Sequence, residues 1–149
     1  MKPIKNFNEF IKQGVVKKQS PDKSRAEFLI NEAKNSFEVL NEKVGKIGIN
    51  NKTANSIIKD CYDILMEIIR AKMLLNGYNA SGFRAHESEV SFLRILGFSE
   101  KDVQFVNQIR FFRNGMLYYG TIFDKEYAEK VLEFTRKNYI KLKKMLNSK

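Results

Sequence analysis

Apolar residues recur every three or four positions along most of this chain, and this spacing restricts the fold to packed helices. The broadest apolar stripe lies in the segment IIKDCYDILMEIIRAKMLL, residues 57–75, as expected of a helix in the centre of a bundle. No window of four to eight residues alternates convincingly between apolar and polar side chains, so no sheet is expected.

Capping and helix-ending residues divide the chain into five predicted helices. These cover approximately residues 20–45, 51–77, 84–96, 99–120 and 124 onward, with Ser20 and Ser99 as predicted N-caps. In the short third helix, Val90, Leu93 and Ile95 are expected to face inward. Short connections between long helices favour antiparallel neighbours. The predicted fold is therefore all-α: one domain over 1–149, in which 20–147 form an up-down antiparallel four-helix bundle with an additional short helix, and 1–19 form a basic N-terminal helix or arm.

The charge of the chain is strongly basic and unevenly distributed. There are 27 Lys and Arg residues against 17 Asp and Glu, a net charge of +10. Basic side chains are concentrated in the first 25 residues and in the last 14, the latter without any acidic residue. Such asymmetry attracts polyanions, nucleic acid above all, although a merely soluble lysine-rich surface is also compatible with it.

Other compositional features exclude several classes of protein. No run of about 20 apolar residues is present, so no membrane span is expected. One histidine, His86, and one cysteine, Cys61, are too few for a zinc site, so neither a metal nor another cofactor is expected. The single cysteine also fits a reducing compartment, and the predicted location is the cytoplasm.

The motif RFFRNGMLYYG, residues 110–120, is unusually polar for a core helix. Arg110, Asn114 and Tyr118 are spaced four apart and share one helix face, and Arg113 lies about 60° further round. Gly115 costs about 1 kcal/mol relative to alanine inside a helix, so its presence suggests a close approach by another backbone or a ligand. These residues predict a small polar site.

Several stretches together resemble a HEPN domain (higher eukaryotes and prokaryotes nucleotide-binding). They are DKSRAEFLINEA, IIKDCYDILMEIIRAKMLLNGY, SGFRAHESEVSFLRILGF and IRFFRNGMLYYG, and the resemblance extends over residues 22–147. It implies a helical bundle that forms a homodimer with the motif helices at the interface. Many members of this family are metal-independent ribonucleases, often toxins neutralised by a partner nucleotidyltransferase.

The catalytic signature of the family is Arg, four to six residues, then His, and this chain has RNxxxY in its place. Arg113 and Asn114 match the start of the signature, whereas Tyr118 occupies the histidine position. Tyrosine, with a pKa near 10, stays protonated at neutral pH and is a poor base. The resemblance therefore implies an RNA- or nucleotide-binding protein without efficient ribonuclease activity.

The resemblance also implies a role for each residue of the motif. Arg113 would contact phosphate with Arg110 as a supporting charge, Asn114 would orient the ligand or hold the partner helix, and Tyr118 would donate a hydrogen bond or stack, with Tyr119 beside it. Gly120 stands where some members carry a tyrosine that the partner enzyme modifies, so that form of neutralisation is not supported.

Two alternatives stay open. The chain could be an active ribonuclease in which His86, from the short helix, or Tyr118 supplies the missing group alongside Arg113. It could instead be an interaction or dimerisation module of a toxin–antitoxin-like pair. A helix-start hydrogen bond is the simpler expectation for His86. Asp63 and Glu67 are expected to pair with Arg70 or with an arginine of the motif.

Overall fold

The computed structural model describes the backbone of residues 2–147, and the side chains of these residues other than 117–119 and 147. Six helices and two short strands occur in this range. They are α1 (Phe7–Lys12), β1 (Val16–Lys18), α2 (Lys23–Ile47), α3 (Ala54–Leu75), β2 (Tyr78–Ala80), α4 (Ala85–Ile95), α5 (Glu100–Tyr119) and α6 (Lys125–Asn147). The predominantly helical fold predicted from the periodicity is confirmed.

Helix α3 lies at the centre of the molecule and contacts α2, α4, α5 and α6. Its wide apolar stripe explains this position, because side chains on several of its faces are buried at once. Cys61 is among them, and burial raises the pKa of its thiol to about 12, so it is an unreactive core thiol. None of the helices in the range 2–147 has the length and apolar content needed to cross a membrane.

The capping residues were predicted correctly at one long helix and incorrectly at another. Ser99 caps α5, its Oγ accepting a hydrogen bond from the Asp102 N–H at 3.2 Å. Helix α2 begins after Asp22 and not at Ser20, because the Asp22 carboxylate accepts from the Arg25 N–H at 3.1 Å. Pro21 therefore precedes the helix.

The expectation that the chain has no sheet is wrong. Strand β1 pairs antiparallel with β2, with Val16 opposite Ala80 and Lys18 opposite Tyr78. Each strand has only three residues, which is too short for an alternating pattern to be visible in the sequence.

The N-terminal segment contains the predicted helix, and that helix is packed into the rest of the fold. Ile4, Phe7 and Phe10 are buried in the main core. The Phe7 ring lies 5.1 Å from the ring of Tyr78 and 5.0 Å from that of Phe92, measured between centroids. The segment thus helps to hold α4 in place.

Helix α4 buries a different set of residues from the one expected. Val90 and Leu93 are buried as predicted, but Ile95, also expected inside, is exposed. Phe92 is buried in its stead, since Phe7 and Tyr78 pack against it. This orientation directs the start of α4 towards α3 and α5, where the candidate site lies.

Candidate functional site

The motif arginine Arg113 faces α3. Its Nη2 lies 3.5 Å from Asp63 Oδ1, and its Cζ lies 5.5 Å from the centre of the Tyr62 ring. The predicted pairing of Asp63 with a motif arginine is thus confirmed. The Arg113 side chain is 28 % exposed, and its Nε is buried without a hydrogen-bond partner among the described residues.

Tyr62 joins three helices at this point. Its ring is buried in α3, with Arg113 of α5 over it. The ring of His86, near the start of α4, lies 6.3 Å from the Tyr62 ring between centroids. The fold therefore brings His86 and Arg113 to the same tyrosine, which sequence alone could not establish.

Glu89 is a buried carboxylate that holds His86 in position. It is 2 % exposed and accepts two hydrogen bonds from Arg70, at 2.5 Å from Nε and 3.1 Å from Nη2. His86 Nδ1 lies 3.1 Å from Glu89 Oε1. An ionised carboxylate only accepts hydrogen bonds, so this contact places a proton on Nδ1 of His86. Whenever the imidazole is neutral, its other nitrogen then keeps a lone pair. The imidazole is 60 % exposed, so it is accessible from solvent.

Burial and charge shift the titration of this cluster in opposite directions. Burial alone would raise the pKa of Glu89, but the hydrogen bonds from His86 and Arg70 outweigh it and the pKa is lowered. For Asp63, burial raises the pKa despite the opposing charge of Arg113. Burial likewise raises the pKa of Tyr62, so this phenol stays neutral and cannot act as a base.

The structure gives fewer contacts for the remaining residues of the motif. Arg110 Nε donates to Oδ1 of the buried Asn107 at 2.9 Å, so this arginine is partly held by its own helix. Asn114 is half-buried on α5. Tyr118 and Tyr119 belong to α5, but their side chains lie outside the described residues, and the roles predicted for them stay predictions.

Gly115 is not required by packing within the chain. A Cβ atom added at Gly115 would meet only Thr121 Oγ1, at an ordinary contact distance of 3.6 Å. The positive φ at the end of the helix belongs to Gly120, whose N–H bonds to the Gly115 carbonyl. Packing against the described side chains therefore gives no reason for a glycine at 115.

Sequence reasoning missed Glu89 and considered only Asp63 and Glu67 as possible partners of Arg70. One sign was visible, since Glu89 follows His86 by three positions and the two therefore share a helix face. The partnership with Arg70 was not visible, because the two residues lie on different helices. Among the described side chains, no group of three or more histidines, cysteines or carboxylates is arranged to hold a metal ion.

No protein-family model matches the sequence, and no curated protein and no solved structure matches it. A function for this chain must consequently be argued from its own residues, and above all from the cluster formed by Tyr62, Asp63, His86, Glu89 and Arg113.

Proposed function

We propose that this protein is a HEPN-like helical bundle that binds RNA or a nucleotide, with Arg113 as the residue that contacts phosphate. The observation that carries the proposal is the incomplete hydrogen bonding of this arginine. Its Nε is buried without a partner, and its ion pair with Asp63 is long, at 3.5 Å. A buried donor without a partner costs about 1–3 kcal/mol, which a ligand that draws the guanidinium outward would relieve.

Phosphate suits this site better than other ligands. Guanidinium presents its donors in a planar fork that matches two phosphate oxygens, and such charge-assisted bonds are short and strong. His86 adds a hydrogen-bonding ring beside Tyr62, and Arg110 adds a positive charge three residues from Arg113 on the same helix. The net charge of +10 favours a polyanionic ligand.

The proposal includes an up-down arrangement of the four long helices and a homodimer in which the motif helices of two protomers meet. Two large apolar side chains, Phe111 in α5 and Ile122 just after it, are exposed beside the motif. Gly115 leaves space there for a second backbone.

Binding of a labelled single-stranded RNA at one stated salt concentration tests the proposal. Arg113→Ala is expected to weaken binding about tenfold or more, because a charge-assisted contact is lost. Arg25→Ala, an exposed arginine at the start of α2, is the matched control and should leave binding nearly unchanged. If Arg113→Ala weakens dimerisation and leaves RNA affinity intact, the chain is an interaction module instead.

The pair His86–Glu89 favours a second candidate, a metal-independent endoribonuclease. A carboxylate that fixes the proton on Nδ1 leaves the other nitrogen ready to accept a proton. That nitrogen would take the proton of a ribose 2′-hydroxyl, the 2′ oxygen would bond to phosphorus, and the bond to the 5′ oxygen would break as that oxygen takes a proton from water.

Incubation of purified protein with RNA in EDTA separates the two candidates. The ribonuclease predicts products ending in a 2′,3′-cyclic phosphate, and their loss in both His86→Ala and Arg113→Ala. The binding protein predicts no cleavage above that of a mock-purified sample, with RNA still bound. Glu89→Gln serves as a third variant, since it retains the size of the side chain but removes the charge that holds His86.

A further inference from the structure

The aromatic ring of Phe83 is almost completely exposed. At 91 %, it is the most exposed of the large apolar side chains that the structure describes. Phenylalanine is usually buried, so a solvent-exposed phenylalanine ring requires an explanation. Its neighbours Ser81 and Gly82 are small, so the exposed apolar surface is that of a single ring.

The backbone around Phe83 is held in an unusual conformation. Gly82 and Arg84 on either side of it have φ angles of +78° and +72°, and Arg84 is the one non-glycine residue with positive φ in the described chain. An arginine in this region is strained relative to glycine, which makes the position a candidate for function.

Several contacts fix this loop to the rest of the protein. The Ser81 N–H donates to the Val15 carbonyl at 3.1 Å. Arg84 Nη1 donates to Gln13 Oε1 at 2.9 Å, and the Arg84 guanidinium lies 5.1 Å from the centre of the Phe10 ring. Phe83 is therefore presented to solvent by an anchored loop, and its exposure is a property of the fold.

Phe83 is also close in the chain to His86, one residue of the cationic cluster. It precedes His86 by three residues, a separation that cannot exceed about 11 Å between Cα atoms. His86 lies beside the Tyr62 ring, over which Arg113 is placed. The exposed ring of Phe83 thus lies just before His86 in the chain, and the proposed phosphate-binding residue Arg113 lies against the same tyrosine as His86.

We infer that Phe83 stacks on an unpaired nucleobase whose phosphate is bound at the Arg113 site. The inference rests on the proposed function and specifies its ligand: single-stranded RNA or a free nucleotide, and not duplex RNA, whose bases are already stacked. An aromatic side chain beside a basic surface is the usual arrangement for binding unpaired bases. A protein interface is a poorer fit, because it buries about 800 Å² on each partner and one ring supplies only part of that.

The absence of tryptophan from the sequence makes a direct test possible. Phe83→Trp places a single fluorescent indole at the proposed stacking position, and Phe28→Trp places one on the exposed face of α2 as the control. Each protein is titrated with a single-stranded RNA, with an abasic strand of equal charge, and with a mononucleotide. Quenching of F83W by RNA, with none by the abasic strand and none in F28W, is the expected result. Quenching by the mononucleotide as well would identify a free nucleotide as sufficient.

Affinity measurements give a second readout. Phe83→Ala is expected to weaken binding of single-stranded RNA about 5- to 150-fold, the range that one base–aromatic stack contributes, and to leave the abasic strand unaffected. Phe28→Ala should change neither affinity.

Two results would overturn the inference in distinguishable ways. If RNA binds through Arg113 but F83W is not quenched and Phe83→Ala binds normally, the stacking role is wrong and the proposed function stands. If F83W fluorescence instead changes with protein concentration in the absence of RNA, Phe83 is a contact between copies of the chain. Failure of the wild-type protein to bind any RNA or nucleotide would remove both proposals together.

Discussion

Arg70 and Arg113 differ in hydrogen bonding although they are equally buried. Their side chains are 27 % and 28 % exposed, and both are charges near Tyr62. Both oxygens of Glu89 accept hydrogen bonds from Arg70, whereas Arg113 has one long contact and a buried Nε without a partner. Degree of burial therefore does not distinguish the two arginines, but the satisfaction of their donors does, and Arg113 is the one proposed to bind phosphate.

The largest effect on stability is expected at Arg70. Arg70→Ala leaves the buried Glu89 carboxylate with His86 alone, and breaking a buried pair costs about 3–5 kcal/mol. Urea unfolding measures this loss. Lys46→Ala, which breaks the exposed pair Lys46–Glu42, is the control and should cost less than about 1 kcal/mol. Equal losses in the two variants would contradict the structural role of Arg70.

A smaller loss of stability is expected on acidification. Because the folded-state pKa of Glu89 lies below the ordinary value of 4.5, its contribution is complete above that pH and is lost as the pH falls through the folded value. The free energy of unfolding should decline below about pH 4.5, and Glu89→Gln should flatten the decline. The pKa of Glu100, held at about 2 by Arg94 and Gln104, shifts in the same direction. Glu100 is exposed, so Glu100→Gln should change the curve less.

The sequence predicted the elements of this fold better than their partnerships. Helical periodicity located α3 and α5 to within a few residues, because each has a long apolar stripe with capping residues at its ends. The three-residue strands were missed, since pairing between β1 and β2 depends on residues 60 or more positions apart.

At the candidate site, likewise, the individual residues were predicted better than their partners. Asp63 was expected to pair either with Arg70 or with a motif arginine, and the structure shows the second, with Arg113. Glu89 was missed as the partner of Arg70. The choice among several possible carboxylates is made by tertiary packing, which places α4 over α3. Nothing in the sequence indicated that Phe83 is exposed, because the exposure of one loop residue cannot be inferred from periodicity.

The substitution Gly115→Ala tests whether a second molecule approaches the motif. Within one chain, Gly115→Ala should raise the free energy of unfolding by about 1 kcal/mol, because alanine favours helix and the added Cβ meets only Thr121. If two protomers meet at α5, the same change should weaken the dimer, as sedimentation would show. A stabilised protein with unchanged association would argue against the proposed interface.

The smallest effect on stability is expected at Asp63. Its pKa is raised by burial, so its ionised form disfavours folding, and this penalty is relieved as the pH falls through the folded value, opposite to Glu89. Asp63→Asn should change stability at pH 7 by less than about 1 kcal/mol, because the side chain is half exposed. RNA affinity should increase, since the carboxylate no longer competes for Arg113. Weaker binding in Asp63→Asn would indicate that Asp63 positions Arg113 for the ligand.

The salt dependence of RNA binding by Arg113→Ala shows whether Arg113 contacts phosphate. Each phosphate contact contributes about one unit to the slope of log affinity against log salt concentration, slightly less on single strands. Arg113→Ala is expected to lower this slope by about one unit per site and to weaken binding irrespective of RNA sequence, whereas its urea midpoint should change little. A wild-type slope and affinity in Arg113→Ala, with the protein folded, would show that Arg113 does not bind phosphate.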